Sequence, residues 1–143
     1  MINNANLTER SRAAVLEAWR VFKTRDAEQI SRLFTEDAEW LAPRDNATAI
    51  ALGGSHHIMG NARIAQFLSC DMHKIFQNIQ IEFRGVFADG NTVVVEERMR
   101  ATVPHGAYDN DYCFVFELEG AQIKRVREYM DTLRGKAMIF GSD

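Results

Sequence analysis

Residues 25–40 read RDAEQISRLFTEDAEW, and the change from helix to strand within them decides the fold. Asp26 and Gln29 have the spacing of a capping box, in which a side chain before a helix accepts backbone N–H groups of its first turn. Ile30 and Phe34 follow at the spacing of an apolar helix face. The stretch therefore predicts a short helix after Asp26 that leads directly into an extended segment.

A longer helix is predicted upstream of this stretch, and a strand directly after it. The helix is expected to open at Leu7 and Thr8, with Thr8 as its cap. Its apolar stripe recurs every three or four residues and consists of Val15, Leu16, Trp19 and Phe22. Residues 37–41 are expected to form the first strand, and Pro43 ends it because proline cannot donate to a sheet.

Residues 44–58 are predicted to form a polar connection, and a connection of this length often serves as a lid or binding loop. It carries His56 and His57, which cannot both face the same way in an extended segment. A third helix is expected after Gly60, with an apolar face formed by Ile64, Phe67, Leu68, Ile75 and Phe76.

The rest of the chain alternates between apolar and polar residues with a period of two. This alternation begins at Ile79, and Asp89 with Gly90 interrupts it as a hairpin turn does. Further strands are expected at about 92–103, 108–118 and 123–131. Three helices followed by successive hairpins indicate an α+β domain, in which a curved, mostly antiparallel sheet wraps around the helices and leaves an internal pocket.

Length and composition indicate one domain over residues 1–143. The net charge of −3 and the absence of any basic run exclude nucleic acid as an expected partner. We expect neither a metal nor a cofactor, because no histidine or cysteine spacing fits a metal site and no glycine-rich phosphate loop is present. No apolar run approaches the ~20 residues of a membrane span, so we expect a cytoplasmic protein without membrane contact.

The stretch at 25–40 resembles the opening of nuclear transport factor 2-like proteins, specifically the SnoaL-like and ketosteroid-isomerase-like small proteins. Further similarities lie at 60–67, at the hairpin turn 89–90 with its following valines, and at 127–131. The resemblance implies a cone-like fold with an internal pocket. It leaves the reaction open, because such folds include isomerases, dehydratases, polyketide cyclases, epoxide hydrolases and binding modules. It also implies a homodimer through the open sheet, with apolar contacts from Val94, Val115 and Val126.

Several positions depart from better-defined branches of this superfamily. Ketosteroid isomerases carry a base where this chain has Ala42, and an acid where it has Tyr112. Limonene-epoxide-hydrolase-like members use an arginine and two carboxylates. Here Arg98 matches the arginine and Asp131 the second carboxylate, but Arg100 replaces the first. The SnoaL-type cyclases are more similar, because the resemblance implies a single late-strand aspartate as base, which Asp131 matches.

The spacing of the last two strands predicts which of their residues share a face. A turn centred on residues 120–121 would pair them so that residue numbers sum to about 241. Tyr112 would then lie opposite Tyr129, and Asn110 opposite Asp131. This register predicts one aromatic surface with a polar end, as a small-molecule pocket requires.

The predicted catalytic residues are Asp131 as base, and Tyr112 or the loop histidine His57 as proton donor or oxyanion partner. A solvated carboxylate at a strand end is the alternative for Asp131, and an ordinary sheet residue is the alternative for Tyr129. Arg98 is predicted to orient an anionic or carbonyl group, with a charged outer face as the alternative. The predicted substrate-binding residues are Trp19, Trp40, Phe67, Arg98, Asn110, Phe114 and Tyr129.

These observations lead to one principal hypothesis on function and two alternatives. The principal hypothesis is a cofactor-independent acid/base enzyme, isomerase-like or polyketide-cyclase-like, that acts on a small apolar oxygenated substrate. The alternatives are a non-catalytic small-molecule-binding module with the same pocket, and an epoxide-hydrolase-like enzyme with an altered triad.

Overall fold

The computed structural model describes residues 3–141 of the chain. Five α-helices, six strands and one 3₁₀ turn lie within these residues. In chain order they are α1 Asn4–Phe22, α2 Ala27–Arg32, β1 Phe34–Leu41, α3 Ala47–Leu52, β2 His57–Met59, α4 Asn61–Ser69, the 3₁₀ turn Asp71–Lys74, β3 Gln77–Asp89, β4 Thr92–Val103, β5 Gly106–Glu119, β6 Gln122–Met130 and α5 Thr132–Phe140.

The strands form a single curved sheet, which confirms the predicted α+β fold. Their order is β2-β1-β6-β5-β4-β3, and every neighbouring pair is antiparallel except β1 with β6. The four long strands follow one another through tight turns, as the alternating sequence pattern predicts. None of the helices in residues 3–141 has the length and apolar character that crossing a membrane requires.

The N-terminal caps of the first two helices confirm one prediction and correct another. Asp26 caps α2 as predicted, because its carboxylate accepts the backbone N–H of Gln29 at 3.1 Å. The prediction that Thr8 caps the first helix is wrong, since Asn3 caps it by accepting the backbone N–H of Asn6. The Thr8 hydroxyl instead accepts the backbone N–H of Gly90 at 2.8 Å, which ties α1 to the β3–β4 turn.

Two helices were missed by the sequence analysis. The connection at 44–58 contains α3, which Asn46 caps and which ends at Gly53 in the left-handed conformation. Its alanine-rich sequence has too few apolar side chains to show a helical period. The second is α5, which begins directly after the predicted end of the last strand, in a segment for which no element was predicted. The third predicted helix also ends earlier, at Ser69, and its last apolar residues follow the 3₁₀ turn.

The hydrophobic core lies between α1, α2 and α4 and the concave face of the sheet. The predicted α1 stripe contributes Val15 and Phe22, but Leu16 is 44% exposed and lies outside it. Ala18 takes the inward position instead. From the sheet, the core receives Phe34, Trp40, Val93, Val95, Phe114, Phe116, Leu118 and Val126.

Replacement of Phe116 by alanine tests the importance of this core. Phe116 is completely buried, so Phe116→Ala is expected to lower the free energy of unfolding by about 3–5 kcal/mol. Phe87 is 58% exposed on the same sheet, and Phe87→Ala should cost much less. Urea denaturation of both variants measures the difference, and equal losses would contradict this description of the core.

Candidate functional site

A cavity of about 1070 Å³ opens between the helices and the concave face of the sheet. Its wall is largely aromatic. Trp19 of α1 lies edge-on to Phe114 of β5, with ring centroids 5.2 Å apart, and Trp40 of β1 lies 5.9 Å from the same ring. Phe67 of α4 extends this wall. A cavity of this size and lining suits a small, mostly apolar ligand.

Two glutamates, Glu97 of β4 and Glu128 of β6, line this aromatic cavity. Glu97 occupies an inward position of its strand, in phase with the buried Val95 and Met99. In the sheet it lies opposite Tyr112, which also lines the cavity. The sheet thus brings together two carboxyl groups and a phenol that are distant in sequence.

Glu128 faces the cavity because β6 contains a bulge. Close to the turn, Leu118 pairs with Ile123, which matches the predicted sum of 241. The next pair is Glu117 with Arg125, so β6 advances by two residues while β5 advances by one. The extra residue is Lys124. Because side chains alternate along a strand, one inserted residue exchanges the two faces of the strand beyond it.

The predicted register beyond the turn is therefore wrong. Tyr112 lies opposite Met130 instead of Tyr129, and Phe114 lies opposite Glu128. Tyr129 is 52% exposed on the outer face of the sheet. Its position outside the cavity follows directly from the bulge.

The Glu97 carboxyl group is buried without a full set of partners. The residue is 2% exposed, and its Oε2 atom has no hydrogen-bond partner among residues 3–141. Burial, and secondarily the charge of Glu128, raise the pKa of Glu97 to about 8. At neutral pH Glu97 is thus predominantly a protonated acid that can donate a hydrogen bond into the cavity.

Glu128 lies in a different local environment. The indole Nε1 of Trp40 donates a hydrogen bond to its Oε1 at 2.7 Å. Burial raises the pKa of Glu128 to about 7, and the indole hydrogen bond opposes this rise by favouring the ionised form. Near neutral pH Glu128 is present in both protonation states, so it can accept a proton. The two carboxyl groups are accordingly suited to different roles.

Tyr112 is held by a buried chain of hydrogen bonds. Its hydroxyl lies 2.5 Å from that of Tyr108, whose oxygen accepts an N–H from the Asn110 amide at 3.2 Å. The same amide donates to the backbone carbonyl of Asp131 at 3.0 Å. Burial raises the pKa of Tyr112 well above its usual value, so the phenol stays neutral.

Of the residues predicted from sequence to form the site, those that line the cavity are Trp19, Trp40, His57, Phe67, Tyr112 and Phe114. The His57 ring nevertheless points toward the outer face of β1, where its Nε2 lies 2.9 Å from Glu39 Oε1. His56 lines the cavity as well, and both histidines are half-buried.

Four predicted site residues lie outside the cavity. Asp131 follows β6 and caps α5, since its Oδ1 accepts the backbone N–H of Arg134 at 3.0 Å. Asn110 is buried behind Tyr112, and Tyr129 faces outward. Arg98 lies on the outer face of β4 and forms two hydrogen bonds with Asp109, so the charged outer face is the correct interpretation.

The two glutamates were missed, although the sequence carries a signal for one of them. Glu97 falls on the apolar phase of β4, between Val95 and Met99, where a charged residue is unusual. The signal for Glu128 is weaker, because its phase follows from Val126 only if Lys124 and Arg125 are recognised as a bulge. Among residues 3–141 no group of three histidine, cysteine, aspartate or glutamate side chains is arranged to hold a metal ion.

The curved sheet with its internal cavity defines a nuclear transport factor 2-like protein. The sequence pattern of the SnoaL-like domain matches residues 14–126, and the chain belongs to this family. A search of curated proteins found no match.

Solved structures of similar fold come from several bacteria. A candidate isomerase from Bacillus subtilis is 26% identical, with a TM-score of 0.73 over 92% of this chain and 96% of that one. A candidate SnoaL-like polyketide cyclase from Jannaschia sp. CCS1 is 16% identical over the whole of both chains, with a TM-score of 0.76. An LEH-like epoxide hydrolase of M. tuberculosis is 22% identical, with a TM-score of 0.65 over 94% of this chain and 98% of that one.

Replacement of Asp131 tests its role as a helix cap. Asp131→Ala is expected to lower the free energy of unfolding by about 1 kcal/mol, because the first turn of α5 loses an acceptor. Asp131→Asn should lose only a fraction of that, since asparagine is an equally good cap. Urea denaturation measures both, and an equal loss in the two variants would contradict the capping role.

The buried carboxyl group of Glu97 predicts how stability depends on pH. Between about pH 4.5 and about pH 8 the native residue holds a proton that the unfolded chain has released, so stability falls as pH rises. Glu97→Gln is expected to remove up to about 5 kcal/mol of that fall, at about 1.4 kcal/mol per pKa unit.

Urea denaturation of the wild type and the variant at pH 5 and pH 8.5 measures this change. Glu128 also makes stability fall as pH rises, up to about pH 7, so part of the pH dependence remains in Glu97→Gln. Glu96→Gln is the matched control, because Glu96 is the exposed neighbour on the same strand. An unchanged slope in Glu97→Gln would show that the Glu97 side chain is ionised in the native protein.

Proposed function

We propose that this protein is a cofactor-independent acid/base enzyme, isomerase-like or polyketide-cyclase-like, that acts on a small apolar oxygenated substrate. The observation that carries this proposal is the pair of carboxyl groups, Glu97 and Glu128, in one aromatic cavity with unlike surroundings. Buried carboxyl groups whose pKa values are raised toward neutral pH are typical of sites that move protons.

Glu128 takes the role of base in this proposal. Its ionised form is stabilised by the Trp40 N–H, which also fixes the position of one carboxylate oxygen. The other oxygen remains to accept a proton from a substrate carbon next to a carbonyl group. The C–H bond breaks, the proton moves to Glu128, and the electron pair forms the C=C bond of an enolate.

Glu97 and Tyr112 take the role of hydrogen-bond donors to the enolate oxygen. Both are neutral at pH 7 and nearly excluded from water, which strengthens their interaction with a developing negative charge. An isomerase would return the proton from Glu128 to a different carbon. A cyclase would let the enolate carbon attack a second carbonyl group, and Glu97 would donate its proton to the new alkoxide. Glu97 then regains a proton from solvent, and Glu128 releases the proton that it took from the substrate.

The arrangement does not favour the epoxide-hydrolase alternative. That chemistry would require the matching arginine, Arg98, beside the two carboxylates, whereas Arg98 is paired with Asp109 on the opposite face of the sheet. The likeness to the M. tuberculosis epoxide hydrolase is one of fold.

The homodimer expected through the open sheet stays a prediction. Val94 and Val115 pair on the outer face of β4 and β5, where a second copy could contact them. Val126 is completely buried in the core and is not available for that contact.

Deuterium exchange into 2-tetralone tests the proposed chemistry. This small bicyclic ketone has acidic hydrogens next to its carbonyl, and their replacement in D₂O is followed by proton NMR. The wild type should exchange them faster than buffer. Glu128→Gln should reduce the protein-dependent rate by at least about 100-fold, because the base is lost.

Two matched variants control for effects on folding. Glu96→Gln and Asp131→Asn remove carboxylates outside the cavity and should leave the exchange rate unchanged. A wild-type rate no faster than buffer would favour the binding module instead. Full activity in Glu128→Gln, or its loss in Asp131→Asn, would overturn the assignment of the base.

A further inference from the structure

The solvent-exposed part of the cavity lining, which we call the mouth, is positively charged, although the whole chain carries a net charge of −3. Its exposed charged side chains are all cationic: Lys23, Arg25, Arg63 and Lys74. Among the cavity-lining residues that the structure describes, Asp71 is the one carboxylate at this end. Lys23 and Arg25 belong to the α1–α2 connection, Arg63 to α4, and Lys74 to the 3₁₀ turn.

Three of these cations are not neutralised by neighbouring carboxylates. Lys74 lies 3.5 Å from Asp71, so this pair largely cancels. Lys23 and Arg63 form no ion pair with any residue of the described range. Arg25 donates its Nε–H to the backbone carbonyl of Ser69 at 3.2 Å, which leaves its two terminal nitrogens free within the same range.

The Arg25 guanidinium is held in place at this mouth. Its backbone adopts the left-handed conformation, with φ of 57°, in the turn that follows α1, where its N–H donates to the carbonyl of Phe22. The bond to Ser69 ties the α1–α2 connection to the end of α4. Burial, and secondarily the charge of Arg25, lower the pKa of His73, which also lines the cavity.

Two of these cations, Arg63 and Lys23, are close in sequence to aromatic residues of the cavity wall. Arg63 precedes Phe67 by four residues on α4, so both side chains lie on one face of the helix. Lys23 follows Phe22, which also lines the cavity. A ligand with an apolar body and one anionic group would meet both surfaces at the same time.

We propose that the substrate is a small aromatic or alicyclic carboxylate whose charged group binds Lys23, Arg25 and Arg63 at the mouth. Its apolar body then packs against the aromatic wall, and its oxygenated end reaches Glu97 and Glu128. The assignment of the reacting end rests on the proposed function. The preference for an anionic ligand does not rest on the proposed function, because that preference concerns binding alone.

A matched pair of ligands tests this charge preference. 1-Naphthylacetate and 1-naphthylacetamide have the same ring and nearly the same size, but only the first is charged. Each is titrated against wild-type protein loaded with the neutral fluorescent probe N-phenyl-1-naphthylamine, and displacement gives its Kd. We expect the acid to bind at least about tenfold more tightly than the amide, and this ratio to fall as salt is added.

The double variant Lys23→Gln/Arg63→Gln should reduce the ratio to about twofold or less, with little change in Kd for the amide. Arg10→Gln/Lys136→Gln is the matched control. It removes the same net charge from exposed positions that do not line the cavity, and it should keep the wild-type ratio. Equal affinities for acid and amide in the wild type would overturn the proposal, as would failure of both ligands to bind or an undiminished ratio in the first double variant.

Glu128→Gln separates this proposal from the proposed reaction. This variant should reduce the protein-dependent rate of deuterium exchange by at least about 100-fold and should still bind the acid more tightly than the amide. If the wild type prefers the acid but never catalyses exchange, the anion site is supported and the proposed acid/base function is overturned. If the wild type catalyses exchange but binds acid and amide equally well, the proposed reaction is supported and the anion site is overturned.

Discussion

A single extra residue in β6, Lys124, determines which side chains of that strand face the cavity. Strand side chains alternate between faces, so an insertion reverses every position beyond it. The bulge turns Glu128 inward and sends Arg127 outward, where it forms an ion pair with Glu117 at 2.5 Å. Without it, Tyr129 and Arg127 would face the cavity, and the second carboxyl group would lie in solvent.

The inner and outer faces of the sheet give charged groups opposite environments. Outside, carboxylates are ionised and paired, as Glu39 is with Arg125, and that pairing lowers the pKa of Glu39. Inside, Glu97 and Glu128 are surrounded by aromatic rings, and burial raises their pKa values. The burial costs native stability as pH rises, and the same burial creates a proton donor and a proton acceptor near neutral pH.

Local features explain the parts of the fold and site that could be predicted from the sequence. Asp26 caps α2 because its side chain reaches a backbone N–H only three residues away. Trp40, Tyr112 and Phe114 line the cavity because alternation assigns each to the apolar face of its own strand. Glu97 follows the same rule, although a charged residue is unusual on the apolar phase of a strand.

The α+β class, the hairpins and most of the aromatic wall follow from the amino-acid sequence alone, since these depend on the period and turn residues of short segments. The Asp131 cap of α5 is as local as the Asp26 cap of α2. The tertiary structure adds the inward position of Glu128 and the cations of the α1–α2 connection, α4 and the 3₁₀ turn that line the cavity. These depend on how distant strands and helices pack. The bulge in β6 shows in the sequence only as two consecutive charged residues, Lys124 and Arg125, between Ile123 and Val126. Pairing with both β5 and β1 fixes where the extra residue falls.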